Sequence, residues 1–173
     1  MLIANKKKES NIIEYLIYMW HIEDILRVYN FDISLIEKNI ISKFGQSQEI
    51  SYTIKNWYSE LIGLMKNEGL TEKGHLKQLN DIVDKLATLN KKMLISVNDE
   101  RYRELYYKAL PGIKALSEKN KDARNEIELC IIGLYGVLRL KMNNKNINAS
   151  TDESIKSFAE LLSYLAYIYK NNN

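Results

Sequence analysis

The chain has 173 residues, of which 46% are hydrophobic and 27% are charged, and its formal net charge is +3. This balance excludes a disordered chain and a membrane-embedded one, and the length predicts a single domain over residues 1–173. One proline and seven glycines leave few breakers, which favours long helices over a turn-rich β fold. We expect residues 1–9 and 171–173 to be flexible ends.

The apolar periodicity, capping residues and breakers predict six or seven helices and no strand. Asp32 is the expected N-cap of the second helix, and Pro111 marks the clearest break, with a short helix after it. The fold class is therefore all-α, an irregular multi-helix bundle. In chain order the predicted long helices are 10–29, 33–44, 48–67, 72–94, 99–110, 122–142 and 150–170, and the short helix after the break is 111–119.

Two of these helices are apolar over more of their circumference than one neighbouring helix can cover. They are the first long helix, 10–29, and the helix over 122–142, in which Gly133 and Gly136 allow a neighbour to approach closely. Such coverage indicates either a central position in a bundle of several layers or a subunit interface. We expect both helices to be central.

Scarce cysteine and histidine limit the possible chemistry. A single cysteine cannot form an internal disulfide, and its apolar surroundings predict that Cys130 is a buried structural thiol. One Cys and two His exclude a zinc finger, so we expect no metal and no cofactor. The longest uncharged apolar run, 129–138, is too short to span a bilayer, and the N-terminus lacks an export signal. A cytoplasmic protein that does not enter membranes follows as the expectation.

The positive charge is a weak indication of a nucleic-acid partner. Lysine outnumbers arginine 20 to 5, and lysine, isoleucine, asparagine and tyrosine, which all have AT-rich codons, are abundant. The lysine excess therefore reflects codon composition, and a nucleic-acid partner is not expected.

A polar seam on the first long helix is the main candidate for a ligand-binding site. Glu14, Tyr18 and His21 fall within roughly 60° of each other on a helical wheel. A carboxylate, a phenol and an imidazole on one face have the chemistry to hold a small ligand or move a proton. The alternative is that the seam is the solvent-exposed face of the helix.

A second set on the same helix is a candidate interface. Glu23 and Arg27 stand at i, i+4 in the favourable order, near Trp20 and the apolar side of the helix. A partly buried pair could anchor another helix or a subunit. The alternative is a surface ion pair of small energetic value.

Three further motifs match known chemistry incompletely. Asp81 and Asp84 share a helix face as Mg²⁺ ligands do, but no second acidic cluster has the matching spacing. Arg124 resembles the start of the Arg-x4-His motif of helical ribonuclease toxins, but the residue five positions later is Leu129. Arg101 and its neighbouring tyrosines place aromatic rings among cations, as in single-strand binders, although tyrosines at helical spacing are more often core or interface.

The N-terminal thirty residues resemble an uncharacterised all-helical family, found mainly in Bacteroidetes bacteria and classed as a domain of unknown function. The resemblance implies a self-contained cytoplasmic helical protein and carries over no catalytic residue. The residues that carry it are Met1-Leu2-Ile3-Ala4, Lys7-Lys8, Asn11-Ile12, Glu14-Tyr15-Leu16, Tyr18-Met19-Trp20, Glu23-Asp24 and Arg27.

Two functions are consistent with these observations. The first is a non-enzymatic protein-interaction module that self-associates, as a homodimer or with another protein partner, because apolar coverage is wide and no catalytic constellation is present. The second is a small-molecule-binding or hydrolytic helical bundle whose pocket lies at the Glu14, Tyr18 and His21 face.

Overall fold

The computed structural model describes residues 2–172. Met1 and Asn173, which the sequence predicts to be flexible, lie outside the described residues. The described chain is all-helical, with eight α-helices rather than six or seven and without a strand between residues 2 and 172. The helices are α1 (Leu2–Ser10), α2 (Ile12–Val28), α3 (Ile33–Asn39), α4 (Gln48–Asn67), α5 (Lys77–Ile95), α6 (Glu100–Ser117), α7 (Glu126–Met142) and α8 (Ala149–Asn171), with a 3₁₀ helix at Ile41–Phe44.

Local capping explains most of the boundaries. Asp32 caps α3 as predicted, since its side chain accepts hydrogen bonds from the backbone N–H groups of Ser34 and Leu35. The stretch predicted as one helix over 33–44 is instead α3 followed by the 3₁₀ helix. Asn148, not Ser150 or Thr151, caps α8 by accepting from the N–H of Thr151.

The N-terminal residues form a helix where the sequence predicted a flexible end. Helix α1 covers Leu2–Ser10 and packs on α2, and Ala4 is buried between them and the core. Asn11 separates the two helices and caps α2 through its side-chain oxygen. A buried contact with α2 therefore orders a segment that has little amphipathic pattern of its own.

Helix α6 is continuous through Pro111, so the predicted break at this residue is wrong. Proline removes one backbone hydrogen bond from a helix and strains the preceding turn. Here α6 packs along α8, and Gly112 lies so close to α8 that an added Cβ would be 3.0 Å from Phe158 and Ser154. The burial gained along this contact outweighs the cost of the proline.

Helix α5 begins later than predicted, at Lys77 rather than after Thr71. Gly74 has a left-handed φ of +91°, which keeps the segment before α5 out of a helix. Residues 68–76 therefore form an irregular segment, which crosses α2 and ends at the fully buried Leu76.

Helices α7 and α8 lie at the centre of the bundle, because each packs against α2, α5, α6 and the other. Helix α2 packs on both of them and is covered in part by α1. The first half of α7 is enclosed, whereas Leu138, Leu140 and Met142 near its end are exposed. This difference between the two halves of α7 leads to the candidate site.

Candidate functional site

An open groove of about 720 Å³ lies between the second halves of α6 and α7 and the first turns of α8. Its apolar lining includes Leu116, Ile132, Val137, Ile155 and Phe158. A volume of this size falls within the range of small-molecule sites, which is roughly 300–1,000 Å³.

Two glycines of α7 have opposite roles beside this groove. A Cβ at Gly133 would lie 2.9 Å from the ring of Phe158, so only glycine lets α8 pack this closely. A Cβ at Gly136 would meet nothing within 4 Å. Both glycines line the groove, but only Gly136 leaves space that the chain itself does not fill.

The charged side chains that line the groove are all cationic. Lys119, Arg139 and Lys145 line it, and no Asp or Glu does so within the described part of the chain. The other polar lining residues carry amides or hydroxyls: Asn120, Asn143, Asn148, Ser150, Thr151 and Ser154. The groove therefore combines an apolar surface with positive charge.

The end of α7 holds Lys145 at the groove. Asn144 adopts a left-handed φ of 54°, and the Lys145 N–H donates to the Leu140 carbonyl at 2.9 Å. This closes α7 in a Schellman arrangement, in which the backbone after the helix folds back over its last turn. Asn148 then starts α8, so the connection between the two helices is short and its course is defined at both ends.

A polar junction lies on α2, away from the groove lining. Glu23 is fully buried and accepts hydrogen bonds from His75 Nδ1 at 2.5 Å and from the Leu76 N–H at 2.9 Å. The His75 ring stacks on Trp20 with centroids 4.0 Å apart. Asn80 donates to the His75 carbonyl at 2.8 Å. We call this set, with Arg27, the α2 junction.

Arg27 completes the α2 junction in a way that differs from the prediction. The expected Glu23–Arg27 pair does not form, because Glu23 faces His75 and Arg27 pairs with Asp24 at 3.2 Å. Arg27 also donates to the carbonyls of Leu70 and Gly74. The predicted interface residues Trp20, Glu23 and Arg27 thus hold the 68–76 segment of their own chain, and a role between subunits stays a prediction.

Asp24 connects α2 to α7. Its carboxylate accepts a hydrogen bond from the Tyr135 hydroxyl at 2.6 Å and lies 3.4 Å from Arg139. Burial, and then the hydrogen bond to Asp24, raises the pKa of Tyr135 well above its ordinary value. Tyr135 therefore stays protonated as a hydrogen-bond donor, and Arg139 connects this contact to the groove.

The predicted seam residues differ in how far they are buried. Glu14 is exposed and forms an ion pair with Lys7 at 2.9 Å. Tyr18 is half-buried, and burial raises its pKa. The pKa of half-buried His21 is lowered by burial, an effect that Asp24 opposes. None of the three lines the groove, and their role in ligand binding stays a prediction.

The residues of the acidic motif and of the motif at Arg124 form ion pairs within the chain. Asp81 pairs with Lys77 at 2.7 Å, and Asp84 pairs with Arg124 at 3.2 Å. Arg124 also binds the buried Glu128 at 3.0 Å. Between residues 2 and 172, no group of three or more Cys, His, Asp and Glu is placed to hold a metal ion.

The tyrosines near Arg101 divide between core and surface. Tyr102 is fully buried and donates to Asn90 at 2.5 Å, and Tyr106 donates to Glu126 at 2.8 Å. Arg101 lies over the ring of Tyr164, 5.3 Å from its centroid. Most of these rings are therefore bound to partners within the chain.

Cys130 is fully buried, as predicted. Burial raises the pKa of its thiol far above the ordinary value, which keeps it protonated and unreactive. Sequence reasoning found this residue from its apolar neighbours. It missed His75, because nothing near that residue in the chain indicates a partner 52 positions away.

Comparison with known proteins identifies the chain by family alone. No helix between residues 2 and 172 is long and apolar enough to cross a membrane. No curated protein and no solved structure matches the chain. A family profile matches it from end to end, well beyond the N-terminal residues that carry the resemblance. The chain belongs, over residues 1–173, to the family described as Domain of unknown function (DUF4924).

Proposed function

We propose that this protein is a non-enzymatic binding module whose groove between α6, α7 and α8 takes an apolar ligand. The observation that carries the proposal is that the open space at Gly136 lies in an apolar groove, whereas the equally open Gly63 on α4 does not line it. A glycine within a helix costs about 1 kcal/mol of stability relative to alanine. At Gly133 that cost is offset by close packing with Phe158, but at Gly136 no contact within the chain offsets it. An external occupant of the groove would explain why the space is kept.

The polar clusters support a binding role over catalysis. Glu23 and His75 satisfy each other, and Tyr135 satisfies Asp24. The one thiol, Cys130, is buried and protonated. Such groups stabilise the bundle, and they lie outside the groove lining where a ligand would sit.

Self-association and a bacterial cytoplasmic location are further parts of the proposal. The exposed apolar side chains at the end of α7, Leu138, Leu140 and Met142, are a surface that a second copy could cover. The wide apolar coverage of α2 is used inside the chain and no longer supports a subunit contact.

The groove can be tested with a neutral apolar dye, N-phenyl-1-naphthylamine, whose fluorescence rises in apolar sites. We expect the full chain to bind the dye and Gly136→Leu to bind it at least about tenfold more weakly, because the new side chain occupies the groove. The matched control is Gly63→Leu on α4, where an added Cβ also meets nothing within 4 Å. Equal binding by wild type and both variants, with circular dichroism unchanged, would contradict the proposal.

A further inference from the structure

We infer that the ligand of the groove is a single aliphatic chain that ends in an anionic group, for which a carboxylate serves as the probe. This inference rests on the proposed function, since it assumes that the groove is a ligand site. It adds the chemical class of the occupant, which the charge, the length and the surface of the groove together indicate.

The charge of the groove favours an anionic head group. Lys119 and Lys145 line the groove, and within the described chain neither ammonium group lies within 4 Å of a carboxylate. Within residues 2–172 five of the 20 lysines pair with a carboxylate, so a missing acidic partner is common. Lys119 and Lys145 are distinguished by lining an apolar groove that no described acidic residue lines. Two unpaired cations beside an apolar surface are complementary to an anion that carries an apolar tail.

Arg139, the third cation that lines the groove, already has an acidic partner. Arg139 lies 3.4 Å from Asp24 and is 62% exposed. Its guanidinium can therefore contribute to the positive field of the groove while staying attached to α2. The head group is expected to interact chiefly with the two lysines, and Arg139 is the less sensitive position.

The length of the groove favours an aliphatic chain over a protein helix. Its lining extends from Gly112 to Leu116 on α6 and from Ile132 to Leu140 on α7, with Lys119, Asn120 and Asn143 beyond the helix ends. At 1.5 Å per residue the two helical stretches are roughly 6 and 12 Å long. An amphipathic helix could contact the groove over only two or three of its turns. The surface area buried in this way would be far smaller than that of a standard protein interface. An extended chain can lie along the whole apolar surface.

The test compares three twelve-carbon amphiphiles that differ only in the head group. They are dodecanoate, dodecyl maltoside and dodecyltrimethylammonium, each titrated calorimetrically into the full chain below its own micelle concentration. We expect dodecanoate to bind about tenfold more tightly than the neutral maltoside, and the cation to bind most weakly. Raising the salt concentration should weaken the binding of dodecanoate alone.

Charge variants locate the effect. Lys119→Gln with Lys145→Gln should lower the affinity for dodecanoate about five- to tenfold and leave the affinity for dodecyl maltoside unchanged. The matched control is Lys85→Gln with Lys91→Gln on α5, two exposed lysines that are absent from the groove lining. This control pair should bind all three amphiphiles as the wild type does.

The outcomes separate the inference from the proposed function. Equal affinity for all three amphiphiles, lost in Gly136→Leu, would overturn the assignment of an anionic head group and keep the groove as an apolar site. An equal loss of dodecanoate binding in both lysine pairs would also overturn the assignment, because net charge would then explain it. Binding of none of the three amphiphiles or of the neutral dye would overturn the proposed function itself.

Discussion

The α2 junction and the groove differ in how their polar groups are satisfied. In the α2 junction the fully buried Glu23 binds a histidine and a backbone N–H, and Arg27 binds two carbonyls of the 68–76 segment. In the groove two lysines have no acidic partner, and the space beside Gly136 is empty of protein atoms. In the α2 junction the charged groups bind partners within the chain and hold the fold together, although the buried Trp20 Nε1 has no hydrogen-bond partner. In the groove the two lysines are exposed and unpaired beside open space, so they are available to a ligand.

The largest expected effect lies in the α2 junction. Glu23→Ala should reduce the free energy of unfolding by about 3 kcal/mol, because it removes one partner of a buried pair and leaves His75 and the Leu76 N–H without an acceptor. Urea unfolding monitored by circular dichroism measures the change. The control is Glu14→Ala on the same helix, whose exposed ion pair with Lys7 contributes no more than about 0.5 kcal/mol. Equal losses in the two variants would mean that the junction does not stabilise the fold.

A smaller effect is expected at the closed edge of the groove. Gly133→Ala places a Cβ 2.9 Å from the Phe158 ring, which is itself buried. Overpacking destabilises the fold by about 1–3 kcal/mol, whereas the better helix propensity of alanine stabilises it by about 1 kcal/mol. We therefore expect the free energy of unfolding to fall by about 1 kcal/mol. Phe158→Leu removes the ring that an added Cβ would approach. In this background Gly133→Ala should reduce the free energy of unfolding by less than it does in the wild type. Strict additivity of the two changes would contradict the close contact.

The smallest effect, and the one of opposite sign, is expected at the open part of the groove. Gly136→Ala should increase the free energy of unfolding by about 0.5–1 kcal/mol, since alanine is the better helix former and its Cβ meets nothing within 4 Å. The measurement is the same urea titration, with Gly133→Ala as the comparison three residues away. A loss of stability at Gly136 would show that the space beside it is not free.

Much of the helical structure follows from local sequence. Asp32 caps α3 as its position suggested, and Gly45 and Gly69 follow helix ends with left-handed φ values. The apolar run around Cys130 indicated a buried, central stretch of α7. The predicted break at Pro111 failed because of a distant contact, since α6 packs along α8 through this residue.

The candidate site was not predictable in the same way. Sequence reasoning selected Glu14, Tyr18 and His21 because they share one face of α2. In the folded chain Glu14 is exposed and pairs with Lys7, whereas Tyr18 and His21 are half-buried. It noted Gly133 and Gly136 together as sites of close approach, but only Gly133 has that role. Helical spacing defines which residues share a face and does not define what covers that face.

The sequence alone therefore determined that this protein is helical, where most helices begin and end, and which residues avoid water. These properties depend on hydrogen bonds and side chains within a few positions along the chain. The tertiary structure decided that Glu23 meets His75 and that α8 covers Gly133 but leaves Gly136 open. Those outcomes depend on packing between helices far apart in the chain, where a shift of one turn would exchange an enclosed residue for one that lines a groove.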